Sequence, residues 1–456
     1  MGMINRYASE AYQGSNYARE DNEEVEGSEQ LAAADQAAAV VSNDANLDEV
    51  YRLQDNAEAL SNTADFIDDR VNESGAEAGA TEGEVGLAEQ VADLATAGTG
   101  DTAEQVMPAA ESYVGSKIAT EGFRETVRNI IAAIKRMLKN VFERLKKFWK
   151  KMFGRCKPLI SDAKKLAARA KAAGGKHAKE KTVEVSGFYA DKLVIDKKPL
   201  KNLKDVIRNL RSNADLLTKD IYGKALTENI KLGEKLADVL SDIDGTSASV
   251  DAGLSKLVKE CGSAYTEFGA AFARSSSPDK RFDTSDHVVK VSEEILGGKR
   301  FFVQVPRRTN GSSLEAARAM TGSRIYFADS NKDQPNVDSA DVEIAPLSVI
   351  EELATIIEDL ATEVHRFDTG KGFRDQEKTR DRVERAAEKL GNRKVDDEDR
   401  EAGLSTKLRT AAQFSTMYVS MSTSPFSPLA DHMCSVMRAL LGVGNKMVGE
   451  YTNDRD

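Results

Sequence analysis

The sequence predicts a mainly α-helical protein with a smaller β part. An α+β body follows an acidic, partly disordered N-terminal segment and a long basic amphipathic helix. Three observations predict this. The 456 residues hold one Trp, only 6% aromatics and much Ala, Glu and Lys, a soluble and helix-forming composition. Apolar residues recur at spacings of three and four through most of the chain, whereas period-two alternation is confined to short runs in the middle. Charge is sorted by position. Residues 1–121 carry 26 Asp and Glu against five Lys and Arg, a net of −21. Residues 122–181 carry 19 Lys and Arg against four Asp and Glu, a net of +15, within a chain whose total is −11. A reversal of this size marks a tail or a processed segment.

Taken in order, residues 1–30 are polar and acidic and are expected to be disordered. Residues 29–71 have weak helical periodicity, and 72–86 and 97–102 are linkers by composition. The whole of 1–121 has too little apolar mass for a core of its own. From Gly122 onward, Phe123, Val127, Ile130, Ile131, Ile134, Leu138, Val141, Phe142, Leu145, Phe148, Trp149 and Met152 form one helical stripe, and Lys and Arg fill most of the rest. Gly154 and Pro158 break this helix. A second basic helix over 159–173 stops at Gly174-Gly175. Beyond Thr182, TVEVSGFY and KLVID read as short strands, and 200–217, 226–243 and 252–273 as amphipathic helices. Residues 299–308, 323–329 and 341–345 read as strands. Pro346 opens a long helix through Val364, and further helices are expected over 376–390, 404–421 and 428–441. The expected regions are therefore 1–121 acidic, 122–181 basic and helical, 182–345 α+β, and 346–456 helical.

The residues that could carry catalysis do not assemble into a motif. His177, His287, His365 and His432 form no HExxH or HxH pair, and no glycine-rich phosphate loop is present. His432 and Cys434 read as chance neighbours, and Gly297-Gly298 as a turn. The pairs Glu293-Glu294 and Glu351-Glu352 are expected on helix surfaces. No catalytic residue, cofactor or metal site is expected. Cys156, Cys261 and Cys434 are too scattered for a disulfide framework and suit synthesis in a reducing compartment. The N-terminus lacks a secretory apolar region, and Arg6 breaks the myristoylation pattern. No apolar run is long enough to span a bilayer.

The basic helix admits three readings. It can pack on the body with its charges solvated. It can bind double-stranded DNA without sequence preference, because each phosphate neutralised releases counterion. It can lie in a membrane surface, with Trp149 and the Phe residues on one side and Lys on the other. The acidic segment, tethered beside it, can occupy the basic face and exclude other polyanions. A cut at the charge border, KIATEGF, would turn a chain of −11 into one of +10.

The stretch AAESYVGSKIATEGF followed by the basic aromatic helix ending FERLKKFWKKMFG (residues 109–154) resembles internal head, or inner-body, proteins of large phiKZ-like tailed bacteriophages. The resemblance implies a virion structural protein, not an enzyme. It would be made as a precursor whose acidic propeptide is removed by the phage prohead protease after a Glu in a small-residue-x-Glu motif. Ala119, Thr120, Glu121 and Gly122 would form that site, with Glu121–Gly122 the scissile bond. Glu10, Glu82 and Glu111 would be secondary cuts, while Ala361-Thr362-Glu363 lies inside an expected helix, out of a protease's reach. The mature product would sit inside the capsid after assembly in the bacterial cytoplasm, beside other capsid or inner-body proteins, and could enter the host with the DNA. The expected DNA contacts are Arg124, Arg128, Lys135, Arg136, Lys139, Lys146, Lys147, Lys150 and Lys151. The competing reading is a membrane-acting effector or toxin silenced by its acidic pro-segment. A third is a structural component that oligomerises through the basic helix.

Overall fold

The computed structural model describes residues 156–272, 281–307, 311–331, 339–369, 371–391, 404–423 and 426–452, together with Arg52 and Val337. All but Arg52 belong to the compact unit Leu53–Asp456. The elements are, in order, α1 (Cys156–Ala172), β1 (His177–Ala178), β2 (Thr182–Ser186), α2 (Gly187–Asp191), β3 (Val194–Ile195), β4 (Lys198–Pro199) and α3 (Leu203–Asp215). A π-helix (Leu216–Ala225), α4 (Leu226–Asp242) and α5 (Ser247–Phe272) follow. Next come β5 (His287–Val291), β6 (Lys299–Pro306), α6 (Ser313–Thr321), β7 (Ile325–Asp329) and β8 (Ser339–Glu343). The chain closes with α7 (Leu347–Thr369), α8 (Lys371–Gly391), α9 (Leu404–Thr423), α10 (Ser427–Gly449) and β9 (Tyr451–Thr452). The protein is mainly α with a smaller, antiparallel β part.

The helices pack in two sets. In one, α1 lies against α7 and α10, and α7 also touches α10. In the other, α4, α5, α8 and α9 pack together, with α6 against α5 and α9. Buried aliphatic residues spaced by threes and fours line the contact faces, as at Ile350, Leu353, Ile357, Leu360 and Val364 of α7. Gly233 lets α4 approach α8 and α9, since a Cβ there would run into Tyr418 and Thr379.

Between the two helices read at 200–217 and 226–243 there is no break. The chain runs from α3 through the π-helix into α4, each junction residue holding right-handed helical angles. The wider π turns keep the backbone paired while carrying Tyr222 onto Phe367, with ring centroids 3.7 Å apart and planes 10° from parallel.

The strands are shorter than the alternation suggested. TVEVSGFY is a strand only to Ser186. Gly187 then takes a positive φ of 45° and GFYAD closes into α2. β2 pairs antiparallel with β8, from Thr182↔Glu343 to Ser186↔Ser339, so the segment after α1 is tied to the one before α7. β3 and β4 form a hairpin whose turn residues, Asp196 and Lys197, both have positive φ, the backbone a two-residue hairpin of this hand requires. β5, β6 and β7 form a three-stranded sheet. One face buries Val289, Val291 and Phe302 with Phe282, Tyr326 and Ala328.

The Glu293-Glu294 pair does not sit on a helix. It precedes the turn in which Gly297 and Gly298 hold φ of 86° and 69° and donate their N–H groups to the Val194 carbonyl. Glu294 is nearly buried. It accepts from Arg300 Nη2 at 3.1 Å and from the Asp196 N–H at 2.9 Å. The pair Glu351-Glu352 is on a helix, α7, and Glu352 accepts from Arg211 Nη2 at 2.6 Å.

Candidate functional site

The residues named above for cleavage (Glu10, Glu82, Glu111, Ala119, Thr120, Glu121, Gly122) and for DNA contact (Arg124 to Lys151) lie outside the described residues. Apart from Arg52, the described residues begin where the basic segment roots in the body, at α1. Its register is set by Cys156, Leu159, Ala163, Leu166 and Ala170, all buried and spaced by three and four. Their stripe faces α7 and α10. Gly444 of α10 makes room for Leu166, whose Cδ2 lies 2.7 Å from where a Cβ would stand. Pro158 falls in the first turn of α1, where its missing N–H has no helical partner to lose.

The other side of α1 is exposed and basic. Lys157, Lys164, Lys165, Arg169 and Lys171 reach solvent, and the last two complement the negative end of the helix dipole. Lys164 reaches Glu358 at 3.5 Å, Lys165 reaches Asp162 at 3.2 Å, and Arg169 donates to Asn445 at 2.6 Å. These exposed pairs hold their charges loosely, each contributing about 0–1 kcal/mol. Lys179 and Lys181, beyond the Gly174-Gly175 turn, are exposed as well. The described end of the basic segment therefore keeps its positive charge at the surface, where a polyanion can reach it.

Elsewhere the chemistry-bearing groups are engaged by the fold. A cleft of about 650 Å³ between the three-stranded sheet and α6 includes His287, Gln304, Glu315, Arg318, Arg324 and Tyr326. His287 Nε2 faces the Ala319 carbonyl at 2.8 Å and therefore carries a proton. Nδ1 then accepts from the Thr284 hydroxyl at 3.0 Å. Both ring nitrogens are therefore occupied by the fold. His432 of α10 donates to the Leu296 carbonyl, and its ring stands edge-on to Phe327. Burial holds its pKa well below the usual value of 6.5, helped by Lys192 and Lys299. His432 and Cys434 thus point to different neighbours. The Cys434 sulfur lies 3.8 Å from that of Cys156, a pairing that sequence separation concealed. Ala361 of the ATE triplet in α7 is fully buried.

Among the described residues no helix is long and apolar enough to cross a membrane. No curated protein and no solved structure matches this chain. A family description, phiKZ-like phage internal head proteins, matches residues 20–446, which takes in most of the acidic segment, the basic segment and nearly all of the body. With the match running through almost the whole length, the chain belongs to the phiKZ-like phage internal head proteins, structural proteins located inside the virion head.

Proposed function

We propose that this internal head protein is made as a precursor and is cut between Glu121 and Gly122 by the phage prohead protease. The mature product then associates with packaged double-stranded DNA through the basic segment, without base readout, as a structural component with no enzymatic activity. The observation that carries this reading is the charge reversal at that bond, −21 before it and +15 in the sixty residues after it. The acidic segment keeps the basic face occupied until assembly, when it also meets the other capsid and inner-body proteins. Its removal leaves a product of +10. The exposed lysines of α1 support the reading, because they keep basic charge in solvent on a helix whose other face is buried in the body. Entry into the host with the DNA is a consequence this proposal allows.

The test is the intact mass and N-terminal sequence of the protein from purified particles. A chain beginning at Gly122 is expected, and one beginning at Met1 or Gly2 rules out maturation. Affinity of the particle-derived protein for duplex DNA should fall steeply with salt, log K losing about 0.9 per neutralised phosphate for each tenfold rise. Salt-independent binding, or binding to anionic vesicles with none to DNA, would replace the DNA reading by the oligomerisation or membrane one.

A further inference from the structure

Cys156 is the first residue of α1, directly downstream of the residues that carry the basic stripe. Cys434 lies in α10, near the other end of the chain. Both are fully or almost fully buried, and their sulfurs are in contact at 3.8 Å. Tyr222, from the π-helix, reaches the same space. Its ring stacks on Phe367, its hydroxyl is buried with no hydrogen-bond partner among the described residues, and its ionisation is opposed by burial and then by both cysteines. Cys261, the third thiol, is buried in α5.

We propose that Cys156 and Cys434 are a latent disulfide, left reduced in the compartment of synthesis and closed when the protein meets a small-molecule disulfide outside it. One cysteine, as thiolate, attacks the small disulfide and expels one small thiol. The second cysteine, having lost its proton, attacks the mixed disulfide and expels the other. The two cysteines lose two protons and two electrons, and the oxidant leaves as two thiols. The buried setting disfavours thiolate: the Cys434 thiol is pushed up by its hydrogen bond with Cys156, then by burial and by Asp431, against a smaller opposing effect of Arg438. Closure is therefore slow and follows transient opening of the seam between α1 and α10. Once formed, the bond ties the root of the basic segment to the last helix and closes nearly the whole body into one loop, which restricts the unfolded chain. This inference is independent of processing and of DNA.

The test incubates the full-length protein with oxidised glutathione, then alkylates the remaining thiols under denaturing conditions and maps the peptides. The expected product is lighter by two hydrogens, has one alkylated cysteine, Cys261, and yields a linked peptide pair containing Cys156 and Cys434. It also melts at a higher temperature than the reduced form. Cys261→Ala should still form the bridge, and Cys434→Ala should not. Three alkylated cysteines after prolonged incubation, or a stable glutathione adduct in place of the link, would overturn the proposal. Either result would leave the two thiols as packing partners only. Because Cys434→Ala can unfold for packing reasons alone, the wild-type and Cys261→Ala maps carry the decision.

Discussion

α1 and α10 lie side by side and are built on opposite plans. α1 buries one stripe and exposes a face of lysines and an arginine. α10 is buried on nearly every side, and its interior positions include Asp431, His432 and Ser435, each less than 10% exposed. An amphipathic helix needs only one apolar partner. A helix enclosed on all sides must also find a partner for every polar group it carries. α10 does so through the Leu296 carbonyl for His432 and its own backbone for Ser435, whose hydroxyl donates to the Asp431 carbonyl at 3.2 Å. Among the described residues, α1 thus keeps a basic face in solvent, while its neighbour α10 encloses polar groups that backbone carbonyls satisfy.

The contrast can be broken from either side. The largest effect is expected at the shared seam. Leu166→Ala should cost about 2–5 kcal/mol in denaturant unfolding, because it removes a fully buried side chain that fills the space above Gly444. Gly444→Val approaches the same seam from α10 and should cost about 1–3 kcal/mol by forcing Leu166 aside. At His432 the expected loss for substitution by Gln is about 1–3 kcal/mol, measured the same way, since a flexible amide replaces the flat ring that packs against Phe327 and aims its donor at the Leu296 carbonyl.

That variant also isolates a pH effect. The folded state holds His432 neutral well below 6.5, while the unfolded chain takes up a proton as pH falls through that value. The unfolded state then binds more protons, so stability falls on acidification below about 6.5, by up to about 1.4 kcal/mol per pH unit for one group, and levels off once the folded pKa is passed. Melting curves between neutral and mildly acidic pH should show a drop in the wild type that His432→Gln lacks. The smallest effect is expected on the exposed face. Lys164→Ala should change stability by less than about 0.5 kcal/mol. If the α1 face meets DNA, neutralising Lys164, Lys165 and Lys171 together should leave melting unchanged while lowering the salt slope of binding by about 0.9 for each phosphate no longer neutralised.

Much of the fold was legible because helical periodicity is a local signal. The helices at 347–369, 371–391, 404–423 and 427–449 were each anticipated, though their ends moved by up to eight residues. The strand His287–Val291 and the helix Ser313–Thr321 were missed. Alternation in HVVKV is masked by its polar flanks, and a helix of nine residues offers little periodicity. The latter did carry a signal, the capping box in which Ser312 and Glu315 satisfy each other's backbone N–H groups. Glu294 was misplaced on a helix because its partners, Arg300 and the Asp196 N–H, are set by a turn and a distant hairpin.

The sequence by itself determined the order of charge along the chain, the predominance of helix and the two faces of α1, since each is decided by residues within a few positions of one another. The tertiary structure alone decided that β2 finds β8, that α10 is enclosed while α1 keeps an exposed face, and that Cys156 meets Cys434. Those outcomes depend on which surfaces the whole chain can bury at once. No local spacing encodes that choice, because the partners lie far apart in sequence and meet only when the chain folds.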